Sequence, residues 1–209
     1  MTDGLRGAAM WEERYRAEQY AYGLEPNAFL AAQRNRLEAG MRAFVPGDGE
    51  GRNGVWLASQ GLEVDTIDLS AHGVAKARRL AAERGVSLNA VQADAGQWSW
   101  PEARYDLVAL IFLHLAEPER RALHRRALSA LKPGGLLVLE AFRPEQIERQ
   151  AAGARGGPRD PALLYPPDAL RADFADGDIL LLETADAAME EGHLHVGMSA
   201  VVRALVRRR

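Results

Sequence analysis

The stretch YDLVALIFL, residues 105–113, is nearly continuous in apolar character. A strand with one wet face alternates apolar and polar residues, so an unbroken run asks for cover on both sides. That is the situation of a central strand in a parallel sheet with helices packed on each face. The rest of the chain has to supply those helices and the neighbouring strands, and it does so in regular alternation.

Residues 41–45 read as a short apolar strand, and residues 53–60 as a helix closed by Gly61. A β-rich strand over 64–69 leads into an alanine-rich helix over 71–84 that Gly85 ends. A third strand covers 88–93. After the central run comes a helix over 117–131 with Pro118 in its first turn, then the turn Lys132-Pro133-Gly134-Gly135 and a strand over 136–142. Strands alternating with short helices indicate βαβ units. Upstream, residues 11–42 read as helix, turn, helix, with Pro26 stopping the first and Asn27 capping the second. Downstream, residues 143–167 are rich in Gly, Pro, Arg and Ala and read as a long mobile loop, followed by a short helix over 168–174. Strands over 179–184 and 193–205 are joined only by a turn around Gly192, which forces them antiparallel. The expected architecture is a doubly wound, mostly parallel α/β sheet ending in an antiparallel hairpin. It is one domain, with a helical lid over 1–40, a ligand-binding core over 41–142 and a C-terminal part over 143–209.

Composition narrows the function. The chain holds 26 basic and 29 acidic residues, a formal net charge of −3, which argues against a concentrated basic face for nucleic acid. It has no cysteine, so disulfides, thiolate metal sites and cysteine nucleophiles are all excluded. No apolar run reaches the roughly 18 residues that span a bilayer. Met1-Thr2-Asp3-Gly4 lacks the basic and apolar segments of a signal peptide, and the expected compartment is the cytoplasm. His193 and His195 share one strand face, with no third ligand nearby, so no metal is expected.

The ligand site is expected at the carboxyl ends of the strands. There the first strand-to-helix turn reads VPGDGEGRN, with Gly47, Gly49 and Gly51 at every second position and Asp48 and Glu50 between them. Gly49 to Gly54 formally matches G-x-G-x-x-G, with Asp68 nineteen residues beyond Gly49, which keeps a nicotinamide-dinucleotide oxidoreductase open. The acids decide against it: a pyrophosphate laid on that turn would meet Asp48 and Glu50, whereas a sulfonium would be attracted. Asp68 ends the second strand, where a carboxylate can accept both hydroxyls of a ribose, or else cap the next helix. Asp94, after the third strand, could read an adenine edge or serve only its turn.

The order FVPGDGEGRN, VDTIDLS, VQADAGQW, YDLVALIFLHL, LKPGGLLVLEAF resembles the class I S-adenosylmethionine-dependent methyltransferases. The leading WEERY and YAYGLEPNAFL with GEGRN are similar to the tellurite-resistance and thiopurine-methyltransferase-like branch. The resemblance implies a seven-stranded Rossmann-like sheet and S-adenosylmethionine as cofactor. It places Gly47, Asp48 and Gly49 along the methionine and ribose, and Asp68 on the ribose hydroxyls with Leu69 against the adenine. Asp94 and Ala95 would read the adenine edge, and Ile111 or Phe112 would close the site. One position departs: Val45 stands two residues before the first glycine, where these enzymes carry a loop-organising acid, and Asp48 is the nearby substitute.

Methyl transfer is an in-line displacement that positioning accelerates. A thiolate, selenite or tellurite acceptor needs no strong base; an alcohol or ammonium does. The candidate bases are His114 and Glu140. Trp11, Tyr15, Tyr20 and Tyr22 could face the sulfonium or pack as core, and Arg143, Arg155 and Arg159 could receive an anionic substrate. The expected partner is a small molecule, met by a monomer or homodimer. A non-catalytic cofactor-binding module stays open beside the enzyme.

Overall fold

The structure is a computed structural model that describes residues 3–209. Seven strands form a sheet in the order β3-β2-β1-β4-β5-β7-β6. They are β1 (Arg42–Pro46), β2 (Glu63–Asp68), β3 (Asn89–Gln92), β4 (Tyr105–Ile111), β5 (Leu131–Phe142), β6 (Gly177–Glu191) and β7 (His195–Arg208). The helices are α1 (Asp3–Tyr15), α2 (Ala28–Ala31), α3 (Arg52–Ser59), α4 (Ala71–Glu83), α5 (Glu119–Ala130), α6 (Gln146–Ala151) and α7 (Pro167–Asp173). The chain divides into two compact units, residues 1–98 and 99–209.

In the first unit, β2 pairs in parallel with β1 and with β3, and α3 and α4 are the crossovers. Buried Ala43, Phe44 and Val45 on β1 show the two-sided cover that a continuous apolar run requires, and Val64 and Ile67 of β2 are buried beside them. Ser70 caps α4 by accepting from Gly73 N, so Asp68 is not the helix cap. The N-terminal region differs from the expected helix pair. α1 starts earlier than anticipated, residues 16–27 are irregular, and the second helix shrinks to α2 and one 3-10 turn over Arg34–Arg36. Asn27 caps α2 as expected, accepting from Leu30 N at 3.0 Å, but Leu37 already turns extended to lead toward β1.

In the second unit, β4 and β5 are parallel, and β7 pairs antiparallel with β5 and β6. β4 is buried along most of its length, as its sequence requires. The Lys-Pro-Gly-Gly turn lies within the β4–β5 ladder: Tyr105 pairs with Leu131 and Leu107 with Leu136, so residues 132–135 bulge out. Gly134 has φ +81°, and Lys132 reaches back to both Asp106 oxygens at 2.8 Å. The expected mobile loop is instead tied down. α6 sends Gln146 and Gln150, on one helix face, to the Gly156 carbonyl at 3.0 and 2.8 Å. Gln146 Oε1 also accepts from Ala200 N at 2.8 Å, and Tyr165 N donates to Phe142 O at 2.9 Å. The hairpin is longer than expected: fourteen register pairs join β6 and β7 across a turn holding Gly192 and His193. No helix among the described residues is long and apolar enough to cross a membrane.

Candidate cofactor site

The glycine turn occupies the carboxyl end of β1, and each of its glycines has a positive φ: 70° at Gly47, 58° at Gly49 and 92° at Gly51. Gly47 and Asp48 donate their amides to the Ile67 carbonyl, which binds the turn to the end of β2. Gly51 is also the N-cap of α3, and a Cβ there would lie 2.5 Å from the Ala77 Cβ of α4. The turn is therefore glycine-rich for backbone conformation and close packing together.

Asp48 turns inward. Its carboxyl group is buried and accepts the Gly54 amide, at 3.1 Å to the nearer oxygen, on the first turn of α3. Burial pushes this carboxyl up to about 8, against the pull of the Gly54 bond, so near neutral pH it holds its proton. It organises the turn through a backbone amide, the job that an acid at position 45 would do. It also occupies a donor that the dinucleotide reading would give to pyrophosphate.

Asp68 ends β2 and is also buried. Its oxygens accept from Gly49 N at 2.8 Å and from Ser70 N at 2.9 Å, which fixes the carboxyl relative to the glycine turn. Burial raises it to about 6, with the two amide bonds opposing. Leu69 is half-buried beside it, and its carbonyl accepts from Gln92 Nε2 at 3.0 Å. Asp94, after β3, spends its oxygens locally, on Gly96 N at 2.7 Å and Gln97 Nε2 at 3.2 Å, and Ala95 follows half-buried. The structure thus brings Gly47, Asp48, Gly49, Asp68 and Leu69 together, with Asp94 and Ala95 at the end of the adjoining strand.

Glu50 overturns the charge argument drawn from sequence. It is buried and directed into the protein, at 2.5 Å from Lys76 Nζ and 2.7 Å from Ala21 N. Both carboxyl groups are buried and held inside the protein, so neither Asp48 nor Glu50 offers an exposed charge to a ligand.

Ile111 and His114 belong to the second unit. Ile111 is the buried last residue of β4, and Phe112 beside it has the left-handed φ of 52°, its ring stacked on Phe142 at 4.6 Å. His114 is committed at both nitrogens: Nδ1–H donates to Leu163 O at 2.7 Å, and Nε2 accepts from Phe142 N at 3.2 Å. Burial lowers it to about 4. A general base needs a lone pair directed at substrate, and this imidazole's is spent on the main chain. Glu140 is buried against Arg203 Nε at 2.5 Å. Arg143 pairs with Glu145 at 2.8 Å and Asp186 at 2.9 Å. His195 lies 2.9 Å from Glu191, while His193 sits in the turn, so the two do not share a strand face.

Sequence reasoning missed a buried set in the same unit. Arg120 Nε and His124 Nδ1 donate to Asp173 Oδ2 at 2.7 and 2.8 Å. Burial alone would raise Asp173, and the bonds from His124 and Arg120 hold it lowered. Tyr165, tilted against His114, accepts from Leu115 N and donates to Leu113 O at 2.8 and 2.9 Å, bracing the segment after β4. Three polar residues within five of one helix, His124 and its neighbours, are the only local trace of this set.

Known proteins share this fold and sequence family. The family described as "Methyltransferase domain" matches residues 46–135, the span from the glycine turn to the Lys-Pro-Gly-Gly bulge. A thiopurine S-methyltransferase of Pseudomonas aeruginosa (strain UCBPP-PA14) is 33% identical over 191 residues, covering 81% of this chain and 83% of that protein. A solved structure from work on conversion of a disulfide bond into a thioacetal group during echinomycin biosynthesis superposes with a TM-score of 0.76 at 22% identity, over 97% of this chain and 92% of that one. The N-methyltransferase NodS from Bradyrhizobium japonicum, in complex with S-adenosyl-L-homocysteine, gives 0.70 at 15% identity over 96% and 97%. The fold and the glycine turn define a Rossmann-like methyltransferase. The chain belongs to the thiopurine S-methyltransferase family of class I S-adenosylmethionine-dependent methyltransferases, and S-adenosylmethionine is its cofactor.

Proposed function

We propose that this enzyme methylates a small acceptor of the thiol class, which arrives as its own nucleophile. The observation that carries this is the commitment of both candidate bases: the His114 lone pair is held by the Phe142 amide, and Glu140 is held by Arg203. A thiol ionises near pH ~8.5 without help, whereas an alcohol needs a base to become reactive. The name of the Pseudomonas relative, a thiopurine S-methyltransferase, supports a sulfur acceptor.

The residues around the glycine turn fit the cofactor. Asp68 is a fixed acceptor for ribose hydroxyls, Gly47 and Gly49 present main chain without side chains, and Leu69, Asp94 and Ala95 line the ends of β2 and β3. Asp48 serves by holding the turn in shape. When bound, S-adenosylmethionine supplies a methyl group on a cationic sulfur, and the protein's part is to orient it and exclude water.

The test is a panel of aromatic and aliphatic thiols of graded acidity, matched phenols, alcohols and amines, and selenite and tellurite, followed by mass spectrometry and pH profiles. Thiols are expected to be methylated, with kcat/KM rising with pH up to the acceptor's own pKa. Methylation of alcohols, amines or the oxyanions in preference to thiols would overturn the assignment.

A further inference from the structure

Two of the 26 basic residues are lysines, Lys76 and Lys132, and Lys76 is buried, with only 7% exposure. Its ammonium donates to Ala17 O at 2.6 Å, Gln19 O at 2.9 Å and Glu50 Oε1 at 2.5 Å. Three acceptors around one nitrogen suit a tetrahedral ammonium, which a planar guanidinium cannot imitate. That requirement accounts for a lysine at this site in an arginine-biased chain. The second oxygen of Glu50 accepts from Ala21 N at 2.7 Å, so the glycine turn holds the N-terminal segment directly and through Lys76.

Two more contacts join the same pieces. The Tyr15 side chain lies over Gly49, where an added Cβ would come within 2.6 Å of its hydroxyl. Glu12 accepts from Ser70 Oγ at 2.5 Å and from His72 N at 3.3 Å, and Ser70 N in turn donates to Asp68. Residues 16–19 are exposed and have no regular secondary structure, so these contacts, rather than local structure, hold residues 16–22 in place.

We propose that Lys76 and Glu50 are positioning residues that latch residues 11–22 to the glycine turn, so that cofactor binding at the turn and ordering of that segment are one coupled equilibrium. The proposal rests on the reading that the turn and Asp68 hold the cofactor. Linkage makes the coupling reciprocal: ordering of the segment strengthens ligand binding by the same factor by which the ligand favours the ordered segment.

Hydrogen–deuterium exchange of the full chain, with and without S-adenosylhomocysteine, tests it. In the wild type, saturating ligand is expected to slow exchange over 16–22 by about tenfold, in step with residues 47–54. The Lys76→Met/Glu50→Gln variant, which removes both charges together, is expected to lose protection over 16–22 and to bind the ligand about tenfold more weakly. Lys76→Arg, which keeps the charge, is expected to fail to restore the coupling. Protection of 47–54 with no change at 16–22 in the wild type would overturn the latch and leave the cofactor site standing. Protection of neither segment despite binding would overturn both. Wild-type coupling in the folded Lys76→Met/Glu50→Gln variant would take the latch away from these two residues, and the wild-type measurement tests the coupling itself whether or not the variants fold.

Discussion

Asp68 meets two backbone amides and is fixed against the glycine turn, and in the proposed function it is the carboxylate that receives the ribose. Asp68→Asn is expected to weaken binding of S-adenosylhomocysteine by about 1–3 kcal/mol, the cost of a charge-assisted hydrogen bond. Isothermal titration calorimetry checks this, and an unchanged affinity would remove Asp68 from the site. The neighbouring acids show how residue identity can mislead. In sequence Asp48 and Glu50 look like charges facing a cationic ligand, yet one is buried and accepts a helix amide and the other is paired with Lys76. The cofactor follows from the family placement, and the electrostatic route to it fails. His114 was legible as a polar residue just past the central strand. Nothing local indicated that Leu163, 49 residues on, and Phe142 would take both its nitrogens.

At the scale of elements, α3 shows a glycine whose value is opposite to its helix propensity. Gly54 lies inside α3, where alanine is ordinarily favoured by about 1 kcal/mol. Here a Cβ would meet Asp48 Oδ2 at 2.4 Å and Thr66 Cγ2 at 2.6 Å. Gly54→Ala is therefore expected to destabilise the protein by about 1–3 kcal/mol, since overpacking outweighs the propensity gain. Thermal unfolding measures it, and a raised Tm would show that α3 can shift away from β2. The central strands were readable because a two-sided core writes itself as continuous apolar residues. The C-terminal hairpin exceeds the length its sequence suggests, because much of β6 is only half-buried and carries acids and alanines that weaken the alternation. The composition of the loop after β5 points to mobility, because its order comes from glutamine side chains on α6, which composition does not reveal.

At the scale of the whole molecule, buried acids set a pH dependence. In the unfolded chain Asp48 ionises near 3.8, and burial in the folded protein raises it to about 8. Between these values the native state binds the extra proton, so Asp48 contributes a stability that declines as pH rises from about 4 to 8. Asp48→Asn keeps an acceptor for Gly54 N and removes the ionisation. Relative to wild type, the variant is expected to gain stability as pH rises across that window, measured by urea unfolding of the apo protein at several pH values. A difference that stays flat with pH would show that Asp48 ionises normally in the fold.

The sequence by itself determined the order and type of most strands and helices, the position of the glycine turn and the family. Those properties are written locally, in hydrophobic period, in glycines that must take positive φ, and in the short spacing of motif residues. Only the tertiary structure decided which acids face a ligand, which histidine keeps a lone pair and why Lys76 is a lysine. Each of those depends on a partner distant in sequence, as Glu50 lies 26 residues from Lys76 and Ala17 lies 59 residues from it. Charge and hydrogen bonding act through space, and the chain order does not state which groups the fold will bring within 3 Å of one another.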